Sequence, residues 1–322
     1  MKAAVYYENG GPEVLRYEDV PDPVPAPDGV LLRVEAVGVQ GGDLLHRQLS
    51  PLPATPHVGG YQAAGTVIAV GPEVTTVKEG QKAVAMVNSG SHAELVATSA
   101  GNVFVVPDDM DPKVASAIPV EFATADDCLF GVGRLQAGET VLIQAAGGGV
   151  GLAAVQLAKA AGATVIGTAG SDDKLARLKE YGLDHGINYR TDDVVAKIRS
   201  LTDGRGVDLV LDPVGGRTLE TSVASLAFRG RISWIGNVAR DPERPRLDGL
   251  MAKNATLNGV FLGGARPFEP ERVRGVIERL ITRIAAGELK VVLDRSFALS
   301  EAAEAHRYIE SRASFGRVTL VP

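Results

Sequence analysis

Between the apolar run VLI and the alanine-rich run LAAVQLAK the chain reads QAAGGGVG, residues 144–151. Four glycines and two alanines in eight positions prolong neither a strand nor a helix well, because glycine loses more backbone freedom on ordering than any other residue. They suit a tight turn from a strand into a helix, and that turn limits the available folds more than any other stretch. The pattern around it recurs: VLIQAA, GLAAVQLAKAAG, ATVIGTA and SDDKLARLKEYG alternate apolar strand, glycine turn and helix, and VDLVLD, RISWIG and TLNGVFLGG supply further strands. This is the βαβ signature of a parallel sheet.

The chain before about Val106 has a different texture. AAVYY, VLRYEDV, GVLLRVEAVGV, AGTVIAVG, KAVAMV, AELVAT and NVFVVP are short β-like runs separated by turn residues, which predicts an antiparallel, largely β domain. PDPVPAP at 21–27 reads as a rigid connection. Near the end, Val273, Val276, Ile277, Leu280, Ile281 and Ile284 recur on one helical face and Gly287 closes the helix. RVTLVP then returns to β texture, so the C-terminus is expected to complete the first domain.

At 322 residues the chain suits two domains. The hydrophobic fraction is 45% and the aromatic fraction 5%, so the core is expected to be built from Val, Leu, Ala and Ile. A net charge of −6 without acidic or basic blocks offers no footprint for nucleic acid or an anionic membrane; a small-molecule partner is the better expectation. The single cysteine, Cys128, allows no intramolecular disulfide and fits a core thiol in a reducing, cytoplasmic setting. MKAAVYYENGG lacks the apolar core of a signal peptide. Residues 141–158 are uncharged, yet their glycines and two glutamines argue against a membrane span.

In a βαβ unit the glycines between strand and helix permit a tight turn, close approach of a diphosphate, and close helix–strand packing, while the helix N-terminus offers free amides. Ala146, Gly148, Gly149, Val150 and Gly151 are the candidate residues for a dinucleotide; the plain alternative is a tight turn and nothing more. Where an acidic residue about twenty positions on would bind the ribose of NAD, Gly170 stands instead. Ser171, Lys174 and Tyr189, with Arg190 beside it, can donate to a 2′-phosphate, which favours NADPH. Against this, Ser171 can simply cap its helix, and Asp172 and Asp173 would complement the helix dipole and repel a phosphate.

AAGGGVGLAAVQLAKAAGATVIGTAGS, DLVLDPVGG, GRISWIGN, LSEAAEAHRYIESRASFGRVTLVP, GVQGGDLLHRQ and GGYQAAGTVIAVG together resemble the medium-chain dehydrogenase/reductase superfamily, in particular its zinc-free quinone oxidoreductases, the zeta-crystallin-like group. The resemblance implies an α/β chain with a GroES-like, mainly β catalytic domain over 1–122 with 266–322, a Rossmann domain with a doubly wound parallel sheet over 123–265, and an active site in the cleft separating them. It places Gln40, Thr124 and the Gly236–Asn237 turn on the nicotinamide side with Phe261 near, and adds Arg317 to the cofactor set. It also implies a homodimer through the strand at 255–264.

Zinc alcohol dehydrogenases of this superfamily carry a cysteine where this chain has Gln40 and a His-Glu pair where it has Tyr61 and Gln62. PVEFATA, near the third ligand position, has no cysteine, and His46, His57, His92, His185 and His306 form no ligand-spaced pair. Zinc needs three protein ligands of the Cys, His, Asp or Glu type, so no metal is expected. Without a Lewis acid the substrate should delocalise its own negative charge, as quinones and enones do, with one or two hydrogen-bond donors sufficing. Gln40, Tyr61 and Thr124 are the candidate catalytic groups; His46, Gln62 and Phe261 are the candidate substrate contacts.

Gln40-Gly41-Gly42 and Leu45 depart from the asparagine-proline and tyrosine common in this group. Each candidate also has a plain reading. Tyr61 can fill the volume of the absent metal, His46 can be a surface histidine, Asp43 can bond a neighbouring turn or Arg47, and Glu121, Asp126 and Asp127 can serve a helix start as dipole partners. Ser91 and His92 lack the nucleophile-elbow spacing of a hydrolase.

The sequence thus predicts an NADPH-dependent, metal-free oxidoreductase of a quinone or activated C=C. Two alternatives stay open: an enoyl-thioester reductase using arginines such as Arg47, Arg240, Arg244, Arg246 and Arg266, and a non-catalytic NADPH-binding, crystallin-like protein.

Overall fold

A computed structural model describes residues 1–322, and the chain divides into two compact units, Met1–Glu121 with Arg266–Pro322 and Phe122–Ala265. The second unit holds a six-stranded sheet, parallel throughout. Its strands, in chain order, are Thr140–Ile143, Thr164–Ala169, His185–Asn188, Val207–Asp212, Leu226–Trp234 and Thr256–Gly259, and they lie side by side as third, second, first, fourth, fifth and sixth. The order therefore reverses beside Thr140–Ile143. In such sheets ligands bind outside the carboxyl ends of the strands at that reversal.

The central strands are apolar on both faces, as a sheet covered on both sides requires. Leu142, Ile166, Ile187, Val210 and Ile232 form its buried centre. The helix Gly149–Ala160 follows the glycine turn and buries Leu152, Ala153, Ala154, Val155 and Leu157. Small side chains on this face let the helix lie close to the sheet.

In the first unit Gly29–Gly38 is the central strand, paired antiparallel with Gln62–Val70, Leu95–Ser99 and Arg317–Val321. Val30, Leu32 and Val34 are buried while Arg33 is exposed between them, the period-two pattern of a half-covered sheet. The C-terminus completes this unit through Thr319 opposite Gly38 and Leu320 opposite Val37. The helix Pro270–Ala285 buries the six residues its periodicity marks, Val273 to Ile284, and Gly287 ends it at φ +76°. Arg274 docks it, donating to the carbonyls of Gly101 and Val103 and covering the Phe104 ring.

Two local expectations change. The strand foreseen over 255–264 is only Thr256–Gly259, because the amides of Gly264 and Ala265 both turn back to the Phe261 carbonyl and wind Leu262–Ala265 into a helical turn. Asp126 and Asp127 stand at the end of the helix Pro119–Asp126, where it widens into a π turn over Asp127–Gly131, so they cannot complement its N-terminal dipole. No helix is long and apolar enough to cross a membrane.

Candidate active site

The glycine turn leaves the strand Thr140–Ile143 through Gln144 and Ala145, the latter at φ +51°. Gly148 caps the helix with no side chain bonded to its first amides. Those amides and the positive end of the helix dipole are left for an anion. A Cβ at Gly151 would lie 2.5 Å from the Ala145 carbonyl oxygen and 2.7 Å from Ala146 Cα. Only glycine allows the helix to start this close to the turn. Ala146, Gly148, Gly149, Val150 and Gly151 therefore form a cradle that fits a dinucleotide diphosphate.

At the end of the next strand a Cβ on Gly170 would lie 2.7 Å from the Tyr189 hydroxyl and 3.3 Å from Arg190 Nε. The phenol and guanidinium thus stand beside the bare glycine where an acid would bind the ribose of NAD, and both can donate to a phosphate. Arg190 is held by its own amide donating to Asn188 Oδ1. Ser171 does cap the helix Asp172–Leu178, accepting from the Lys174 amide at 3.4 Å. Asp172 is drawn aside by Asn188 Nδ2 at 3.0 Å. The residues at this corner fit a 2′-phosphate. Further round the unit, the Gly236 carbonyl accepts from Trp234 Nε1, Asn237 Oδ1 packs on Gly215, Thr124 is buried, and Phe261 is 77% exposed.

In the β unit Gln40 precedes the helix Gly41–Leu49, and its amide donates to Asp43 Oδ2 at 2.7 Å. Asp43 is thus a turn-forming residue, as expected, but it bonds Gln40 and not Arg47. The Gln40 side chain is buried beside the Glu121 carboxyl, which it helps to hold. His46 lies on the same helix with Nδ1 3.1 Å from the Tyr61 hydroxyl, which is also 3.4 Å from the Gly42 carbonyl. Burial, with Asp43 adding to it, pushes the Tyr61 phenol up, so it stays protonated and able to donate. His46 is therefore half-buried and engaged, where a plain surface histidine was the simpler reading.

Gln62 is fully buried, and both ends of its amide are used: Nε2 donates to Glu121 Oε2 at 2.7 Å and Oε1 accepts from the Val120 amide at 3.0 Å. Glu121 in turn is ion-paired with Arg317 Nε, and Arg317 Nη1 donates to the Val39 carbonyl. Burial pushes the Glu121 carboxyl up against the pull of Arg317 and Gln62. Glu121 is thus a buried ion-pair partner, not just a helix-start charge. The partners described for Gln62 and Arg317 are protein groups, Glu121, Val120 and Val39, where the sequence suggested a substrate contact and a cofactor contact. No group of three His, Cys, Asp or Glu side chains is placed to hold a metal ion, and the Gln40–Tyr61–Gln62 set does not fit zinc.

Sequence reasoning missed a second buried chain under the same helix. Arg47, 1% exposed, bonds His306 Nδ1 and Glu310 at 2.6 Å each, and His306 packs edge-on against His92, which lies 3.7 Å from Asp43. Burial, then His92 and Arg47, hold His306 well below the ordinary histidine range. Burial, then His46, lower His57 likewise. Unfolded histidine takes up its proton near pH ~6.5, so below that the unfolded state binds more protons and stability falls by about 1.4 kcal/mol per pH unit per histidine. Urea midpoints are expected to be flat from about pH 8 to 7 and to drop below about 6.5. His306→Gln should make that drop shallower; an unchanged slope would rule the assignment out.

Comparisons with known proteins agree with this architecture. The alcohol dehydrogenase GroES-like domain family matches residues 26–108, and the zinc-binding dehydrogenase family matches residues 149–282. A quinone oxidoreductase of Pseudomonas aeruginosa is 35% identical over 97% of both chains. The human synaptic vesicle membrane protein VAT-1 homolog is 34% identical, over 97% of this chain and 84% of its own. The crystal structure of Escherichia coli quinone oxidoreductase complexed with NADPH superposes with a TM-score of 0.95 at 30% identity, covering 100% of each chain. With a GroES-like unit, a doubly wound parallel-sheet unit and full-length relatives of this kind, the chain belongs to the medium-chain dehydrogenase/reductase superfamily, in its quinone oxidoreductase branch.

Proposed function

We propose that the protein is an NADPH-dependent reductase of quinones or enones that works without a metal. The observation that carries this reading is the donor set of the β unit: a buried Gln40 amide beside Glu121 and a Tyr61 phenol held by His46. Neutral donors of this kind stabilise an oxygen whose charge is already delocalised; a simple alkoxide would need more.

Ala146, Gly148, Gly149, Val150 and Gly151 would hold the diphosphate, and Gly170, Ser171, Lys174, Tyr189 and Arg190 the 2′-phosphate. Gly236 and Asn237, with Thr124, are proposed for the nicotinamide end. NADPH in this place supplies a hydride. The acceptor takes that hydride and one proton, so a quinone leaves as hydroquinone and an enone as the saturated ketone. Gln40 Nε2 and Tyr61 Oη orient the acceptor oxygen. Tyr61 gives its proton to the acceptor oxygen, and His46, half-exposed, passes one from solvent back to the Tyr61 oxygen through their 3.1 Å contact.

The test is NADPH oxidation with an ortho-quinone, a linear enone and an enoyl thioester run in parallel. Faster turnover of quinone than of the others supports the reading, and the reverse ranking moves the protein to alkene or thioester reduction. Tyr61→Phe and Gln40→Ala should each lower kcat/KM by about 100-fold, the effect of removing one oriented donor. Full turnover in both variants would remove these roles, and NADPH binding with no turnover of any acceptor would leave a binding protein. We further propose a second copy of the chain as partner along the edge strand Thr256–Gly259, which has a neighbour on one side only and exposed Phe228, Met251 and Phe261 in the same unit. A one-chain mass by light scattering would dismiss it.

A further inference from the structure

The ends of three adjacent strands in the cofactor unit are joined by a single chain of buried hydrogen bonds. The Ala145 amide donates to Thr168 Oγ1 at 3.2 Å, Thr168 donates to Gln144 Oε1 at 2.7 Å, Gln144 Nε2 donates to Ser222 Oγ at 3.3 Å, and Ser222 donates to Asp212 Oδ2 at 2.7 Å. Asp212 Oδ1 then accepts from the amides of Val214 and Gly215 at 2.8 and 2.9 Å. Thr168, Gln144, Ser222 and Asp212 are each no more than 3% exposed.

The direction of this chain is fixed by its last member. A carboxylate only accepts, so Ser222 must donate to Asp212, which leaves its lone pairs for the Gln144 amide. That turns the Gln144 carbonyl toward Thr168, whose hydroxyl donates to it and in turn accepts from Ala145. One acidic residue thus sets the orientation of a carboxamide and two hydroxyls, and a chain aligned in this way strengthens each of its bonds.

One end reaches the glycine turn and the other a turn beside Asn237. At one end is Ala145, whose φ of +51° is unfavourable for a residue with a Cβ, and whose carbonyl is the atom Gly151 packs against. At the other is the turn Asp212–Gly216, where Gly215 touches Asn237. Backbone bonds hold each turn to its neighbours, Ala146 to the Thr168 carbonyl and Ala239 to the Val214 carbonyl among them, and the side-chain chain adds a buried polar link from one turn to the other.

We propose that Thr168, Gln144, Ser222 and Asp212 are positioning residues: their chain locks the glycine turn and the Asp212–Gly216 turn into one preformed cradle and so sets the affinity for the part of the dinucleotide that NADPH and NADH share. It rests on the reading of this unit as the cofactor site. The 2′-phosphate corner is independent of it.

The experiment titrates apoprotein with NADPH and with NADH, following the fluorescence of the bound nicotinamide, with thermal melts of each variant. Thr168→Val keeps the shape and breaks the chain; Thr168→Ser restores the hydroxyl; Asp212→Asn removes the anchor. Thr168→Val and Asp212→Asn should each weaken both cofactors by about tenfold or more, the loss of one or two buried hydrogen bonds. Thr168→Ser should bind within about threefold of the parent. The double variant should bind no worse than the weaker single one, because a chain broken at either end is broken. Multiplying losses, a serine variant as weak as the valine one, or unchanged affinity in a folded Thr168→Val would overturn the proposal. If Asp212→Asn does not fold, the Thr168 pair alone decides. A parent protein that binds neither dinucleotide would overturn the cofactor reading itself, and this inference with it.

Discussion

Glu121→Ala should lower the stability of the β unit by about 3–5 kcal/mol, the cost of leaving one partner of a buried ion pair alone. Arg317 is 7% exposed and Glu121 1%. With the carboxylate gone, the guanidinium keeps only the Val39 carbonyl among the partners described, and Gln62 Nε2 loses its only acceptor. The alternative of recruiting water would require the unit to open. Glu121→Gln should cost less, because the amide still accepts from Gln62. The double variant Glu121→Leu with Arg317→Met should be more stable than Glu121→Ala alone, since two apolar groups leave no charge to solvate. Urea unfolding of the four proteins checks this, and a loss under about 1 kcal/mol in Glu121→Ala would show that the pair is solvated after all. Val39 directly precedes Gln40, so the same variant should also disturb the Gln40 amide and reduce turnover before it unfolds the chain.

This ion pair marks a limit of sequence reading. Periodicity shows which face of a single element is buried, and so Val273 to Ile284 could be placed from the sequence, as could the strand–turn–helix around Gly148. Contacts between distant elements leave no such trace. His46 and Tyr61 are 15 residues apart and Arg47 and His306 are 259 apart; nothing in the local pattern of either pair announces the other. The Gln144–Thr168–Ser222–Asp212 chain was invisible for the same reason, although an Asp closing the apolar strand VDLVLD was a signal, because a carboxylate at the end of a buried strand needs donors. The edge strand failed differently. TLNGVFLGG has β texture, but its terminal glycines have little strand propensity and yield to local amide bonds at Phe261.

The glycine turn, by contrast, supports a prediction that its sequence pattern and its geometry make together. Gly151→Val should weaken NADPH and NADH alike by at least about 100-fold, roughly 2.7 kcal/mol. The atoms a Cβ would strike are the Ala145 carbonyl oxygen and Ala146 Cα, which are backbone and cannot swing aside as a side-chain tip does. The helix Gly149–Ala160 must therefore shift away from the turn, and its first amides shift with it, so the anion loses donors held at fixed distances. Overpacking of this kind costs about 1–3 kcal/mol of stability, small enough that the variant should still fold. Affinity would then fall while the protein stays folded. The reverse result, a destabilised protein with ordinary affinity for both dinucleotides, would mean that the diphosphate is bound elsewhere and that the turn serves packing alone. Equal losses for the two cofactors are the sharper part of the expectation, because the turn is proposed to hold what they share, whereas Gly170, Tyr189 and Arg190 are proposed for the 2′-phosphate, where they differ.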